Sequence, residues 1–276
     1  MRVTAACWRS TKHLQLYISG ARECLGNNML SDQFLVEMRL DRHRVPSFDA
    51  YPFSLIAVKK LDALPLHRSV TFIIGENGSG KSTLLEALAV AWGFNAEGGT
   101  QNFNFDTRAS HSPLHDYLQL SRGYRKPSNG YFLRAESFYN VATEIEALDK
   151  EPGGRPIIAS YGGVSLHAQS HGESFLALLL HRFSGSGFYI LDEPESALSP
   201  TRQMSALVRI HQLVQDGAQF VVSTHSPILM AYPEAWIYRL DEDGITRITY
   251  EETEHYQITR DFLNNHQMML KVLLAE

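Results

Sequence analysis

The sequence predicts an α/β fold with a mixed sheet at its core. Three observations predict it. Val70-Thr71-Phe72-Ile73-Ile74 is a short, β-branched apolar run stopped by Gly75, as in a strand buried on both faces. Leu84, Leu85, Leu88 and Trp92 follow at helical spacing. Two more buried-type runs, Phe188 to Leu191 and Phe220 to Ser223, come later with a helical segment between them.

In chain order, residues 1–33 show weak periodicity and a turn-like Gly26-Asn27-Asn28, and read as a poorly committed leader. Residues 34–276 are expected to form one domain. Phe34 to Leu40 ends in apolar/polar alternation and reads as a strand, and Leu55 to Val58 as another. A helix over Lys81–Trp92 is stopped by Gly93. Residues 94–182 then turn rich in Gly, Asn, Ser and His, and read as an inserted, largely helical lobe. Within it the pattern predicts a short helix around Leu114 to Leu120, a strand at Tyr131 to Arg134 and a helix over Asn140 to Leu148. A turn-rich loop at Glu151 to Pro156 and a helix from Gly172 to about Arg182 complete it. Beyond the lobe, a helix is expected from Thr201 to Gln215. Ile237 to Leu240 and Ile245 to Tyr250 flank Asp241-Glu242-Asp243-Gly244, a hairpin signal. Residues 251–276 read as C-terminal helices.

Composition narrows the function classes. Lys and Arg number 25 against 30 Asp and Glu, which argues against nucleic-acid binding through overall charge. The longest aliphatic run, Phe175 to Leu180, is far short of the ~18 apolar residues of a membrane span. Arg2, Arg9 and Lys12 interrupt the first residues, so no secretory signal is expected. Cys7 and Cys24 are too few for a disulfide framework or a four-thiolate zinc site, and read as free thiols. A cytoplasmic protein without membrane insertion is expected. The histidines show no metal-ligand spacing.

Between the first strand and helix lies Gly75-Glu76-Asn77-Gly78-Ser79-Gly80-Lys81-Ser82-Thr83, a full match to G-x-x-x-x-G-K-[ST]. A polyphosphate wrapped by backbone N–H groups needs glycines where side chains would collide. Lys81 supplies a point charge for the β- and γ-phosphates, and the Ser82 hydroxyl a position on Mg²⁺. The helix points its N-terminus at the anion. ATP or GTP is the expected ligand.

Phe188-Tyr189-Ile190-Leu191 runs into Asp192-Glu193-Pro194. A strand ending in Asp can set that carboxylate beside the phosphate loop, where Asp192 would hold Mg²⁺. Glu193 points elsewhere and can polarise an attacking water. Ser170-His171-Gly172-Glu173 carries the pattern of a capping box at a helix start, whose free N–H groups also form an anion site. Ser223-Thr224-His225-Ser226-Pro227 closes the last buried run; taken alone, His225 reads as a core histidine.

Taken in order, the phosphate loop, S-x-G-E helix start, Asp-Glu strand end, Ser196-Ala197-Leu198 and strand-ending His225 resemble the ATP-binding cassette ATPases over about Tyr51 to Tyr250. The resemblance implies a P-loop NTPase fold of the ABC type and an ATP-dependent sandwich homodimer, with Mg²⁺. It implies that Ser170, Gly172 and Glu173 form a signature turn that meets the γ-phosphate of the partner copy. Glu193 would be the general base, His225 the residue that senses the γ-phosphate, and Ser196, Ala197 and Leu198 the loop between the two sites. His171 stands where the family usually has a second signature glycine. The Mg²⁺-coordinating glutamine has no clear match; Gln101, Gln119 and Glu136 are the nearest in position.

Transporter subunits usually carry Asp after the histidine, whereas Ser226-Pro227 resembles small stand-alone soluble bacterial AAA/ABC ATPases related to RecF- and Rad50-type heads. The stretch between Lys81 and Ser170 lacks heptads, so no long coiled coil is expected. The expected function is ATP binding and hydrolysis that drives or gates a protein or nucleic-acid partner. The alternatives are a nucleotide-gated binding module with incidental turnover and the ATP-binding subunit of a transporter. Arg122, Arg125, Lys126 and Arg134 among Tyr124, Tyr131 and Phe132 read as a solvated or interlobe face. Tyr51 reads as a core tyrosine in preference to an adenine-stacking one.

Overall fold

The computed structural model describes residues 32–101, 112–134, 138–150 and 156–275. Residues 1–31 of the leader, both cysteines, Glu136 and most of the 151–156 loop lie outside these residues.

A six-stranded sheet forms the core. Its strands are β3 (Val70–Gly75), β5 (Asn129–Arg134), β6 (Gly187–Asp192), β7 (Gln219–Ser223), β8 (Trp236–Asp241) and β9 (Gly244–Ile248), in the order β5-β6-β7-β3-β8-β9. All neighbours are parallel except the β8–β9 hairpin. A second sheet, β2-β1-β4, joins β1 (Leu35–Leu40), β2 (Ala63–Pro65) and β4 (Leu118–Arg122) in antiparallel pairs.

The central strands are apolar on consecutive residues because both faces are covered. Phe72, Leu133, Tyr189, Leu191, Phe220 and Val222 face one core, and Ile73, Phe132, Phe188, Ile190 and Val221 the other, so the two-residue pleat is kept. On the second face lies the helix α2 (Lys81–Trp92), which buries Leu84, Leu85 and Leu88, together with the small sheet. On the first lie the helices α4 (His171–Ala177) and α5 (Pro200–Gln215) and the short α6 (Pro227–Met230). The helix α3 (Phe138–Leu148) adds Val141, Ala142 and Ile145 to the same core.

One buried side chain ties the small sheet to the large one. Gln219 Oε1 accepts from Phe34 N at 3.1 Å and Leu35 N at 2.9 Å, and its Nε2 donates to Leu35 O at 2.7 Å and His67 O at 2.9 Å. Gln219→Leu would fill similar space but orphan two buried N–H groups, at about 1–3 kcal/mol each. The expected result is a large drop in unfolding temperature, read by calorimetry, without loss of secondary structure in the folded protein.

Two local expectations differ from the structure. Leu55 to Val58 is not a strand: Ile56–Lys59 form one helical turn, α1. Ala57 N donates to Ser79 O at 3.2 Å, so this turn backs the phosphate loop, a tertiary contact invisible in a four-residue apolar run. The expected helix at Leu114 to Leu120 is a 3₁₀ turn over Pro113–Tyr117 followed by β4, because Leu120 pairs with Met38 on the small sheet. The segment 94–182 is therefore not helical throughout, and lends a strand to each sheet. The helix expected to Arg182 leaves α geometry after Ala177 and runs as a π turn over Leu178–Arg182.

Tyr51 is 66% exposed rather than a core residue. Arg122 stacks over Trp92, its guanidinium 4.3 Å from the ring centre, and Arg125 lies over Phe34 at 5.4 Å. Arg134 donates to Glu86 Oε2 at 2.6 Å. These cations cover aromatic surface and pair with acids inside the chain.

Candidate active site

In a parallel sheet every strand ends at the same edge, which is where ligands are held. Strands β6, β7 and β3 are adjacent, with Asp192 beside Ser223 and Ser223 beside Ile73. The loops after Gly75, Asp192 and Ser223 therefore converge, although they lie far apart in sequence.

After β3 the chain wraps from Glu76 to Gly80 and enters α2. Gly80, at the N-cap of α2, has φ of 97°, a left-handed conformation natural to glycine. Lys81 is 4% exposed, and its Nζ donates to Gly75 O at 2.8 Å and Glu76 O at 2.9 Å. Those bonds hold the ammonium inside the curl of the loop. Burial lowers its proton affinity, offset by Glu193, Asp192 and Glu195. Ser79 Oγ is buried without a hydrogen-bond partner. Thr83 follows Ser82 in the first turn of α2, half-buried.

Ser82 Oγ donates to Asp192 Oδ1 at 3.2 Å, and Ser223 Oγ donates to the same oxygen. Burial raises the proton affinity of Asp192, the two hydroxyls oppose that, and Glu193 adds to it. Two hard oxygen donors, one a buried carboxylate beside a phosphate loop, fit a Mg²⁺ ion.

Glu193 sits at φ 50°, ψ 53°, a left-handed conformation that costs a non-glycine residue about 1–3 kcal/mol. Its N–H is held at 3.1 Å from Ser223 O and 3.2 Å from Ser223 Oγ. This turn separates the two acids: Asp192 faces Ser82, whereas Glu193 Oε1 lies 3.6 Å from His225 Nε2. A pocket at the Glu193 and His225 side chains has a volume of about 1010 Å³. Gly75, Glu76, Asn77, Gly78 and Ser79 line it together with Glu193 and His225.

The capping box expected at Ser170 forms. Ser170 caps α4 in a full capping box: Glu173 N donates to Ser170 Oγ at 3.4 Å, and Ser170 N donates to Glu173 Oε2 at 3.0 Å. Hydrogen bonds from Ser170 hold the exposed Glu173 carboxyl below its ordinary range. Arg202 of α5 braces the turn, donating to Ser170 Oγ at 3.2 Å and Glu173 Oε1 at 3.0 Å. Ser170 is exposed, while Gly172 is buried. A Cβ on Gly172 would come within 2.6 Å of both Ala197 O and Arg202 Nη1. Overpacking of this kind costs about 1–3 kcal/mol. Gly172→Ala is therefore expected to lower the unfolding temperature by several degrees, and calorimetry checks it. Ser196, Ala197 and Leu198 run from a 3₁₀ turn toward α5, with Ser196 exposed and Leu198 buried.

Several groups at the pocket carried no sequence signal. Glu195 accepts His225 N, and burial raises its proton affinity. Arg239, Asp241 and Glu242 reach the pocket from the β8–β9 hairpin, so the acidic hairpin tip also lines it. Glu254 and His255 come from the helix α7 (Glu254–Leu273). None lies in a motif; strand order brings them in. Among the described residues no cluster of three or more His, Cys, Asp or Glu could hold a metal by itself. No helix among them is long and apolar enough to cross a membrane.

Two family models match the chain. Residues 53–150 match one described as "AAA domain". Residues 161–231 match one described as "AAA domain, putative AbiEii toxin, Type IV TA system". No curated protein matches. Among solved structures, an ATP-binding cassette of an ABC transporter matches at 16% identity over 84% of this chain and 97% of that one, with a TM-score of 0.48. The ADP conformation of such a cassette matches at 17% identity over 79% and 93%, with a TM-score of 0.44. The SMC head domain from Thermotoga maritima matches at 16% identity over 79% and 99%, with a TM-score of 0.40. Segments on both sides of residue 151 thus match AAA-domain models, which supports an ATPase domain of the AAA type.

Proposed function

We propose that this chain hydrolyses ATP with Mg²⁺, and that two copies close around the nucleotide to do so. The observation that carries the reading is the pocket in which the phosphate loop, Glu193 and His225 meet, with Asp192 hydrogen-bonded to Ser82 in the first turn of the helix that follows the loop. In this reading the backbone N–H groups of residues 75–83 hold the β- and γ-phosphates, and Lys81 leaves its loop carbonyls to meet them. Ser82 and Asp192 would hold Mg²⁺, which when bound neutralises charge on the phosphates. Glu193 takes a proton from the attacking water, and His225 faces Glu193.

The closing of two copies is supported by the exposed Ser170 turn, an N-terminus whose N–H groups can meet a phosphate of the partner copy. Gly172 then lets that turn lie close on the Ala197 loop, which carries the exposed Ser196. Closure would drive or gate a protein or nucleic-acid partner. The toxin–antitoxin description of the second matched family supports a partner of that kind over a transport role. Phosphate release from ATP and Mg²⁺ by the purified chain tests the reading. Turnover that is lost when Mg²⁺ is chelated is expected; no turnover under any Mg²⁺ concentration contradicts it.

A further inference from the structure

The C-terminal helix α7 returns the chain to the pocket, and its first turn is fixed there. Thr249 and Glu252 form a capping box. Fully buried Thr253 then caps α7: its hydroxyl accepts from Tyr256 N at 3.3 Å and donates to Tyr250 O at 2.7 Å. Tyr250 Oη donates to Pro227 O at 3.0 Å, fastening the same segment just beyond His225. His255 is thereby held against the His225 loop.

His225 Nδ1 and His255 Nε2 are 3.0 Å apart. A hydrogen bond between two ring nitrogens uses one proton, so one ring donates and the other accepts. Were His225 the donor, its Nε2 lone pair would face the Glu193 carboxylate at 3.6 Å. His255 would then carry its proton on Nδ1, which is buried without a hydrogen-bond partner. A buried unpaired N–H is costly, and so is a lone pair against a carboxylate. His225 Nε2 is likewise buried without a hydrogen-bond partner, so either arrangement leaves one such N–H, and the Glu193 carboxylate decides between them. With His255 as donor, the His225 proton sits on Nε2, where the negative charge 3.6 Å away favours it, and the buried His255 Nδ1 holds only a lone pair. Burial of the His255 ring, and then the neighbouring His225, lower the proton affinity of His255, which favours a neutral ring with one N–H.

We propose that His255 is a positioning residue whose Nε2–H fixes His225 in the Nε2–H tautomer, so that His225 in turn orients the Glu193 carboxylate. The partner nitrogen sets the tautomer, as is general for histidine. Helix α7 thus reaches the hydrolytic site through two rings. The effect on hydrolysis rests on the ATPase reading above; the tautomer does not.

The test joins two measurements. Long-range ¹H–¹⁵N spectra of ¹⁵N-histidine-labelled protein at neutral pH report which ring nitrogen of His225 carries the proton. The wild type is expected to show Nε2–H and His255→Leu a mixture of tautomers. His255→Gln, which keeps an amide N–H near the same place and preserves side-chain size, is expected to restore Nε2–H. With ATP, His255→Leu is expected to lower kcat about tenfold, the effect of one lost hydrogen bond, with KM unchanged. His255→Gln should recover kcat, and His255→Leu should add nothing in a His225→Ala background. The proposal is overturned by a wild-type Nδ1–H on His225, by a tautomer indifferent to His255, or by a rise in KM in place of a fall in kcat. If wild-type protein turns over no ATP, the ATPase reading fails by itself and the spectra still decide on His255.

Discussion

Glu193→Gln is expected to slow ATP hydrolysis by about 10²–10⁴-fold, the range for removing a general base, while ATP still binds. The substitution keeps the size of the side chain and removes only the proton acceptor. The side-chain hydrogen bonds of Lys81 and Ser82 at the phosphate loop do not run to Glu193: Lys81 is held by Gly75 O and Glu76 O, and Ser82 by Asp192. The strained turn that aims Glu193 is held through its backbone N–H, so it survives the change. Single-turnover hydrolysis and nucleotide affinity, measured on the same protein, separate the two effects. Equal losses in both would place Glu193 in binding rather than in proton transfer.

Lys81→Ala is expected to weaken ATP binding by about 100-fold, the scale of a lost charge-assisted hydrogen bond to phosphate. The side chain is almost fully enclosed, so no neighbouring cation can replace it from solvent. Its loss also leaves Asp192, Glu193 and Glu195 without the ammonium to which they are coupled. Titration calorimetry with ATP and Mg²⁺ measures the change, and an unchanged affinity would refute the role of the loop. Circular dichroism guards against misfolding as the cause.

Much of this site was legible in the sequence because its chemistry is local. A phosphate loop needs strand, glycines, lysine and helix in one stretch, and residues 70–92 supply all four in order. The Asp192-Glu193 pair and the Ser170–Glu173 capping box are likewise single-segment patterns. What stayed hidden depends on packing between distant segments. Ile56–Lys59 became helical because it backs Gly80, and β4 became a strand because β1 needed a partner. His255 and Glu195 carry no spacing that marks them; tertiary contacts at the His225 loop place them. Gly172 fits the signature pattern, but its tight packing on Ala197 is a fact of three dimensions.

Whether a second copy completes each pocket is tested most directly by the molar mass of Glu193→Gln protein in solution. Light scattering should give one chain's mass without nucleotide and twice that mass with saturating ATP and Mg²⁺. The dimer should revert to single chains when Ser170→Arg places a bulky cation on the exposed signature turn. A single-chain mass at saturating ATP would contradict the account.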